Sequence, residues 1–163
     1  MSQPTQEQIS DYISTAGHAA WQVVGLDETT PQRPVKSVGI IGAGTMGGGI
    51  AMNFATAGYD VRIVETTQEA LDRGLAVVRG NYQRSADKGR FSQEEVEARM
   101  ARFDGRLSLG DLQDCDLVIE AVFENMDLKR QIFTELDRVM KPGAILATNT
   151  SALNIDEIAA MTK

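Results

Sequence analysis

The sequence is short of the residues that build cross-linked or metal-held folds. It carries one cysteine, Cys115, and one histidine, His18, in 163 residues. A single thiol excludes an internal disulfide and a cysteine-built metal site, and a single imidazole excludes a histidine-rich cluster, so no metal is expected. Positive charge is also in deficit: 16 Lys and Arg against 23 Asp and Glu leave a net charge of −7. Such a surface repels a polyphosphate backbone, and no nucleic-acid partner is expected. No apolar run approaches the roughly 20 residues that span a bilayer, so no membrane partner is expected. The N-terminal stretch MSQPTQEQISDY lacks the basic and apolar regions of a signal peptide and the Arg-rich character of a transit peptide. The expected setting is a reducing, cytoplasmic compartment.

What is present is organised in two unequal parts. In residues 1–34, Ile9, Ile13, Ala16, Ala20 and Val24 recur at helical spacing with Trp21 beside them, which predicts one amphipathic helix. Gly25 and the polar run DETTPQRP (27–34) read as its stop and a linker. This segment is too short to be a second domain and reads as an appendage to residues 35–163.

From residue 35 the pattern alternates between strand and helix. KSVGIIG is a short apolar run, as expected of a strand buried on both faces. A helix over 45–57 follows, then a strand over 60–64. A long helical region over 68–88 breaks at Lys88-Gly89-Arg90, and Ser92 with Glu95 makes a capping-box pattern that opens another helix to about Arg102. Two helices in succession predict a helical hairpin inserted between strands. A short strand is expected at 106–109 and a strong one at 116–122. A helix follows over 128–140, then a strand over 144–150 and the start of a helix at 156–161. Alternation of this kind predicts an α/β fold, a Rossmann-like doubly wound parallel sheet with right-handed crossovers.

The turn after the first strand, GAGTMG, is a full G-x-G-x-x-G with glycines at 42, 44 and 47. Gly42 permits the tight turn, Gly44 lets a pyrophosphate approach the backbone, and Gly47 lets the helix pack on the strand. The phosphates would sit at the helix N-terminus, where amides are free and the dipole is positive, which needs no net positive charge on the protein. Glu65 falls 23 residues after Gly42, at the end of the second strand. A carboxylate there accepts hydrogen bonds from the adenosine ribose hydroxyls and repels a 2′-phosphate, which predicts NAD over NADP. Arg62, inside the strand, is poorly placed to accept a 2′-phosphate. FAD-binding proteins share the fingerprint, usually at the extreme N-terminus of a larger chain.

Three stretches carry a more specific likeness. GTMGGGIAMNFATAGYDV, DLVIEAVFENMDLKRQIFTELD and KPGAILATNTSALNIDEIA, in this order and spacing, resemble the NAD-binding domain of the L-3-hydroxyacyl-CoA dehydrogenases of fatty-acid β-oxidation. The wording is most similar to the multifunctional branch, where the domain follows an enoyl-CoA hydratase domain. The resemblance runs from residue 35 to the end. It implies oxidation of a (S)-3-hydroxyacyl-CoA to the 3-ketoacyl-CoA with hydride passing to NAD. It also implies that Gly42, Ala43, Gly44, Thr45, Met46 and Gly47 hold the pyrophosphate, that Glu65 holds the ribose, and that Ala121 and Val122 line the nucleotide pocket. Glu124 and Lys129 match cofactor-contacting positions, although as a pair they also read as a surface helix pair. Ser151, with Asn149 beside it, matches the serine near the nicotinamide and the substrate's 3-oxygen; as bare residues they also read as a helix cap or turn. Asn81 and Lys88, on the hairpin, fall where the family contacts coenzyme A, Asn81 standing where some relatives have serine. The partners so implied are an acyl-CoA substrate and either a second copy of the chain or hydratase and thiolase units in a longer protein.

Oxidation of a secondary alcohol needs a base for the hydroxyl proton. In the family this is a histidine, oriented by a glutamate, shortly after the NTS strand, and the sequence ends at Lys163 before that position. The family's helical C-terminal domain is expected to be absent as well, and the chain alone is expected to be inactive. His18 precedes the first strand and reads as a packing or surface residue. Tyr12, Tyr59 and Tyr82 have no lysine four residues on, so the Tyr-x-x-x-Lys arrangement is missing. The alternative of another class is a stand-alone NAD-binding sensor or structural module without turnover. A β-hydroxyacid dehydrogenase acting on free acids shares GxGxMG, but IEAVFEN followed by NTS argues against it.

Overall fold

The computed structural model describes residues 4–27 and 29–163; residues 1–3 of the N-terminal stretch and Glu28 of the linker lie outside them. The chain divides into two units, Met1–Arg33 and Pro34–Lys163. In the first, helix α1 runs over Gln6–Ala20 and is opened by a capping box, with Thr5 and Gln8 bonding reciprocally. The helix begins and ends earlier than the apolar spacing predicted, because Thr5-x-x-Gln8 satisfies the first free amides. Its apolar stripe packs on nothing in its own unit: Tyr12, Ile13 and Trp21 are exposed and no residue of α1 is buried.

The second unit is built on five parallel strands: β1 (Ser37–Ile41), β2 (Asp60–Val64), β3 (Phe103–Arg106), β4 (Leu117–Glu120) and β5 (Ile145–Thr148), in the order β3-β2-β1-β4-β5. The connections are helices: α2 (Thr45–Thr56), then α3 (Gln68–Asp87) with α4 (Gln93–Met100), then α5 (Met126–Val139), with α6 (Ile155–Ala159) after β5. Parallel strands need such crossovers, and helices cover both faces of the sheet. Alternation along β1 sorts the core into two layers. Val38 and Ile40 pack with Ala51 and Ala55 of α2 and Leu71 of α3 on one face. Ile41 and Val118 pack with Ile132, Phe133 and Leu136 of α5 and Ile158 of α6 on the other. Each such Val, Ile or Leu contributes roughly 1.5–3 kcal/mol by leaving water.

The expected hairpin is α3 with α4. Ser92 and Glu95 make both bonds of their capping box. Val78, Tyr82 and Val96 form a small core of their own, and the Arg99 guanidinium lies 4.0 Å from the Phe91 ring centroid. The Tyr82 hydroxyl donates to the Met52 carbonyl at 2.9 Å, which fixes the hairpin to α2. Strands β3, β4 and β5 differ from their expected bounds, β5 being trimmed from 144–150 to Ile145–Thr148. β3 lies three residues earlier than 106–109, because its half-buried Phe103 packs into the sheet core while Leu107 is left exposed. β4 stops at Glu120 rather than 122, because the Glu120 carboxylate takes the Val122 amide and turns the chain out of the ladder. In the described residues no helix is long and apolar enough to cross a membrane, and no cluster of His, Cys, Asp and Glu could hold a metal ion.

Candidate functional site

In this strand order the chain leaves the neighbouring strands β1 and β4 toward opposite faces of the sheet, through α2 and α5, which opens a crevice beyond the carboxyl ends of β1, β2, β4 and β5. The Gly-rich turn enters it from β1. Gly42 has φ +99°, a left-handed conformation that suits glycine. A Cβ there would also lie 2.8 Å from the Ala121 carbonyl oxygen, so the turn rests directly on the end of β4. At Gly47 a Cβ would lie 1.9 Å from the Gly42 carbonyl oxygen, which only glycine tolerates.

Helix α2 differs from the other described α-helices at its N-terminus. Thr5, Thr67, Ser92, Asn125 and Asn154 cap α1, α3, α4, α5 and α6 with side-chain oxygens. The cap of α2 is Gly44, with no side-chain bond and no acidic residue in the first turn. Its free amides and positive dipole end face outward at exposed Gly44, Thr45 and Met46. A Cβ on Gly44 would meet nothing within 4 Å, so the approach is open. This arrangement fits a pyrophosphate.

Glu65 follows β2, and its amide continues the ladder to the Arg106 carbonyl at 3.1 Å. Its carboxylate accepts from the Ala43 amide at 2.7 Å and the Thr66 amide at 3.1 Å, which sets it at the mouth of the Gly-rich turn. Arg62 is engaged elsewhere, donating to the Asp111 carbonyl at 2.8 Å. Ala121 and Val122 lie half-buried against Gly42.

At the ends of β4 and β5 the site is made of ionisable groups. Lys129 is wholly buried, and its ammonium donates to both Glu120 oxygens at 2.8 and 2.7 Å. It is no surface helix pair with Glu124. The Glu124 carboxylate, 3.9 Å from the same ammonium, accepts from the Thr150 hydroxyl at 2.8 Å and the Ser151 amide at 3.1 Å. The Thr150 bond, then the Ser151 amide and the Lys129 charge, hold Glu124 below the usual carboxylate range. Asn149 and Ser151 are exposed on this turn, and the Asn149 amide donates to the Glu120 carbonyl at 2.8 Å. The structure therefore joins the turn at 42–47, Glu65, the loop at 121–125 and the turn at 149–151.

The hairpin residues are placed separately from this network. Asn81 is half-buried on α3, its amide nitrogen 3.7 Å from the Met52 sulfur and its oxygen accepting from Arg84. Lys88 is exposed at the C-terminal end of α3. His18 is exposed on α1, Nδ1 lying 2.9 Å from the Ser14 carbonyl oxygen. Sequence reasoning missed Glu120, Thr148 and Thr150. A glutamate inside the apolar run DLVIEAV was the available signal, since an ionised group in a strand buried on both faces requires a buried partner.

The strand order, the uncapped helix and the carboxylate after β2 define a dinucleotide-binding domain of the dehydrogenase type. The family model described as 3-hydroxyacyl-CoA dehydrogenase, NAD binding domain, matches residues 37–163, and the chain belongs to that family. Its cofactor is NAD. The chain is 43% identical over 150 residues to a peroxisomal bifunctional enzyme of Cavia porcellus, covering 91% of this chain and 20% of that one. It is 43% identical over 128 residues to a 3-hydroxybutyryl-CoA dehydrogenase of Bradyrhizobium diazoefficiens, covering 78% and 44%. The crystal structure of (S)-3-hydroxybutyryl-CoA dehydrogenase from Ralstonia eutropha superposes with a TM-score of 0.77 at 38% identity, covering 79% of this chain and 46% of that one. The chain thus spans less than half the length of these relatives.

Proposed function

We propose that this chain is the cofactor-holding part of an enzyme that oxidises (S)-3-hydroxyacyl-CoA to 3-ketoacyl-CoA in fatty-acid β-oxidation. The observation that carries the reading is the bond from Glu124 to Thr150 and Ser151. It joins IEAVFEN to NTS beside the Gly-rich turn, in a chain of this family. NAD, when bound, supplies the hydride acceptor. The α2 amides bind its pyrophosphate and Glu65 its ribose, and Glu65 selects against a 2′-phosphate. Ala121, Val122 and Glu124 form the wall of the pocket, with the wholly buried Lys129 behind Glu124 rather than in contact with the cofactor, while Ser151 and Asn149 orient the nicotinamide end and the substrate's 3-oxygen.

On the hairpin, exposed Lys88 meets a coenzyme A phosphate as a point charge. Asn81 is the weaker contact, since its amide is already engaged by Met52 and Arg84. The likeness to a bifunctional enzyme supports a second enzymatic unit in a longer protein, and the likeness to a 3-hydroxybutyryl-CoA dehydrogenase supports a short acyl chain; as partners we keep hydratase and thiolase units or a second copy of the chain. For location we keep a cytoplasmic, reducing compartment, in keeping with the one buried free thiol, Cys115.

Calorimetry with NADH and NADPH tests the cofactor roles. Tight NADH binding with NADPH at least about tenfold weaker is expected, and equal affinities would remove Glu65 from its role. The 163-residue chain is expected to turn over acetoacetyl-CoA negligibly, since its one histidine, His18, reads as a surface residue with Nδ1 2.9 Å from the Ser14 carbonyl oxygen. Measurable NADH oxidation would identify a base within the chain.

A further inference from the structure

Glu120 and Lys129 are the two buried charged residues among those described. The Glu120 carboxylate is saturated: Oε1 accepts from the Val122 amide at 2.8 Å and Lys129 Nζ at 2.8 Å. Oε2 accepts from Lys129 Nζ at 2.7 Å and the Thr148 hydroxyl at 2.6 Å. One side chain thereby ties the end of β4, the loop at 121–125, helix α5 and the end of β5. A buried ion pair is weak evidence for stability, because desolvation offsets most of the Coulomb attraction and an apolar pair of the same volume often does as well. The pair's place in the fold is the informative fact. It lies directly beneath the two segments that close the crevice opposite the Gly-rich turn.

We infer that Glu120 is a positioning residue of the cofactor site. It anchors the Lys129 ammonium, and through it Glu124, so that the loop at 121–125 and the turn at 149–151 are held against the Gly-rich turn. The inference rests on the cofactor reading given above, and it assigns Glu120 no contact with cofactor or substrate. Lys129 reaches Glu124 at 3.9 Å, and Glu124 holds the Ser151 amide. On the other side, Ala121 closes on Gly42, as its amide donates to the Ile41 carbonyl at 2.9 Å. The charged groups facing the Lys129 ammonium are Glu120 from β4 and Glu124 from the loop; from β5 it meets only the neutral Thr148.

The test uses the 163-residue chain with Glu120→Gln, Lys129→Met and the double variant E120Q/K129M, plus Thr148→Val, which keeps the ion pair. In E120Q, NADH affinity is expected to fall about tenfold or more at neutral pH. A merely structural role would instead let NADH affinity recover together with the melting temperature in the double variant. Hydrogen exchange without cofactor is expected to quicken at 121–125 and 149–151 and to stay unchanged in β1 and β2.

The double variant is expected to recover the melting temperature, yet to bind NADH about tenfold more weakly than wild type, as K129M does. T148V is expected to weaken NADH by about threefold. NADH affinity in E120Q within about twofold of wild type would overturn the inference. So would wild-type affinity in the double variant, which also decides the matter if E120Q does not fold. Absence of NADH binding by the wild-type chain would instead strike the cofactor reading, and the exchange pattern would still judge Glu120.

Discussion

On the β1–α2–β2 side of the crevice the contacts are backbone amides; on the β4–α5–β5 side they are ionised side chains. The first side holds its place by the absence of side chains, with Gly42 against Ala121 and Gly47 against Gly42, and carries one carboxylate, Glu65. The second holds its place by Glu120, Lys129, Glu124, Thr148 and Thr150 bonded in series. On the function proposed above, the difference follows from what each side meets. A pyrophosphate is a fixed anion, and free amides with a helix dipole bind it without any charged residue. A reacting centre needs groups held in a set orientation, and inside a protein charges keep such an orientation only when they partner one another.

The comparison can be broken from either side. The largest effect is expected from Gly47→Ala, because its Cβ cannot coexist with the Gly42 carbonyl. A loss of about 3 kcal/mol in urea unfolding and no NADH binding by calorimetry are expected. Retained binding would mean that the backbone side is pliable. Lys129→Met leaves the Glu120 carboxylate buried without its cation and is expected to cost about 3 kcal/mol in the same measurement. A neutral result would show that the polar side does not depend on its charges.

Glu65→Gln keeps the fold and removes the charge at the proposed ribose end. NADH affinity is expected to fall about tenfold, roughly 1.4 kcal/mol, and the preference over NADPH to narrow.

A control lies at the opposite ends of the same strands. Asp116 accepts from the Lys36 and Ser37 amides at 2.7 and 3.0 Å and from Lys141 at 2.6 Å. The Lys141 bond first, then those amides, hold its carboxyl far below the ordinary 3.8. A depressed folded pKa gives stability that is complete above the unfolded value and is lost as pH falls below it. Asp116→Asn is therefore expected to lower the melting temperature near neutral pH and to leave NADH affinity unchanged. The two melting curves should converge as the pH drops below about 3.8; a gap constant with pH would exclude the ionised clamp. The smallest effect is expected from Glu124→Gln, which at an exposed position keeps one oxygen to accept from the Ser151 amide and turns an NH2 donor to the Thr150 hydroxyl, and should weaken NADH by no more than about threefold.

The two sides were also unequally legible in the sequence. Gly42, Gly44, Gly47 and Glu65 stand in a fixed local pattern whose physics is contained in one strand-turn-helix-strand unit, so spacing alone located them. The five parallel strands were legible too, since continuous apolar runs separated by helical periods leave few other arrangements. Glu120 was passed over because its partners lie nine and 28 residues away in sequence. Lys129 read equally well as a surface residue, because a helix facing the core and one facing water can carry the same lysine. The stripe of Ile9 and Ile13 on α1 shows the same limit, since apolar spacing predicted the helix without predicting that it would bury nothing within its own unit.

By itself the sequence determined the α/β class, the dinucleotide turn and its carboxylate, because glycine conformation, helix dipoles and strand alternation act over a few neighbouring residues. Tertiary structure decided that Glu120 and Lys129 share one buried site and that Glu124 binds the Ser151 turn. Those contacts join the ends of strands that only sheet pairing makes neighbours, and their energies depend on burial, which no local pattern contains.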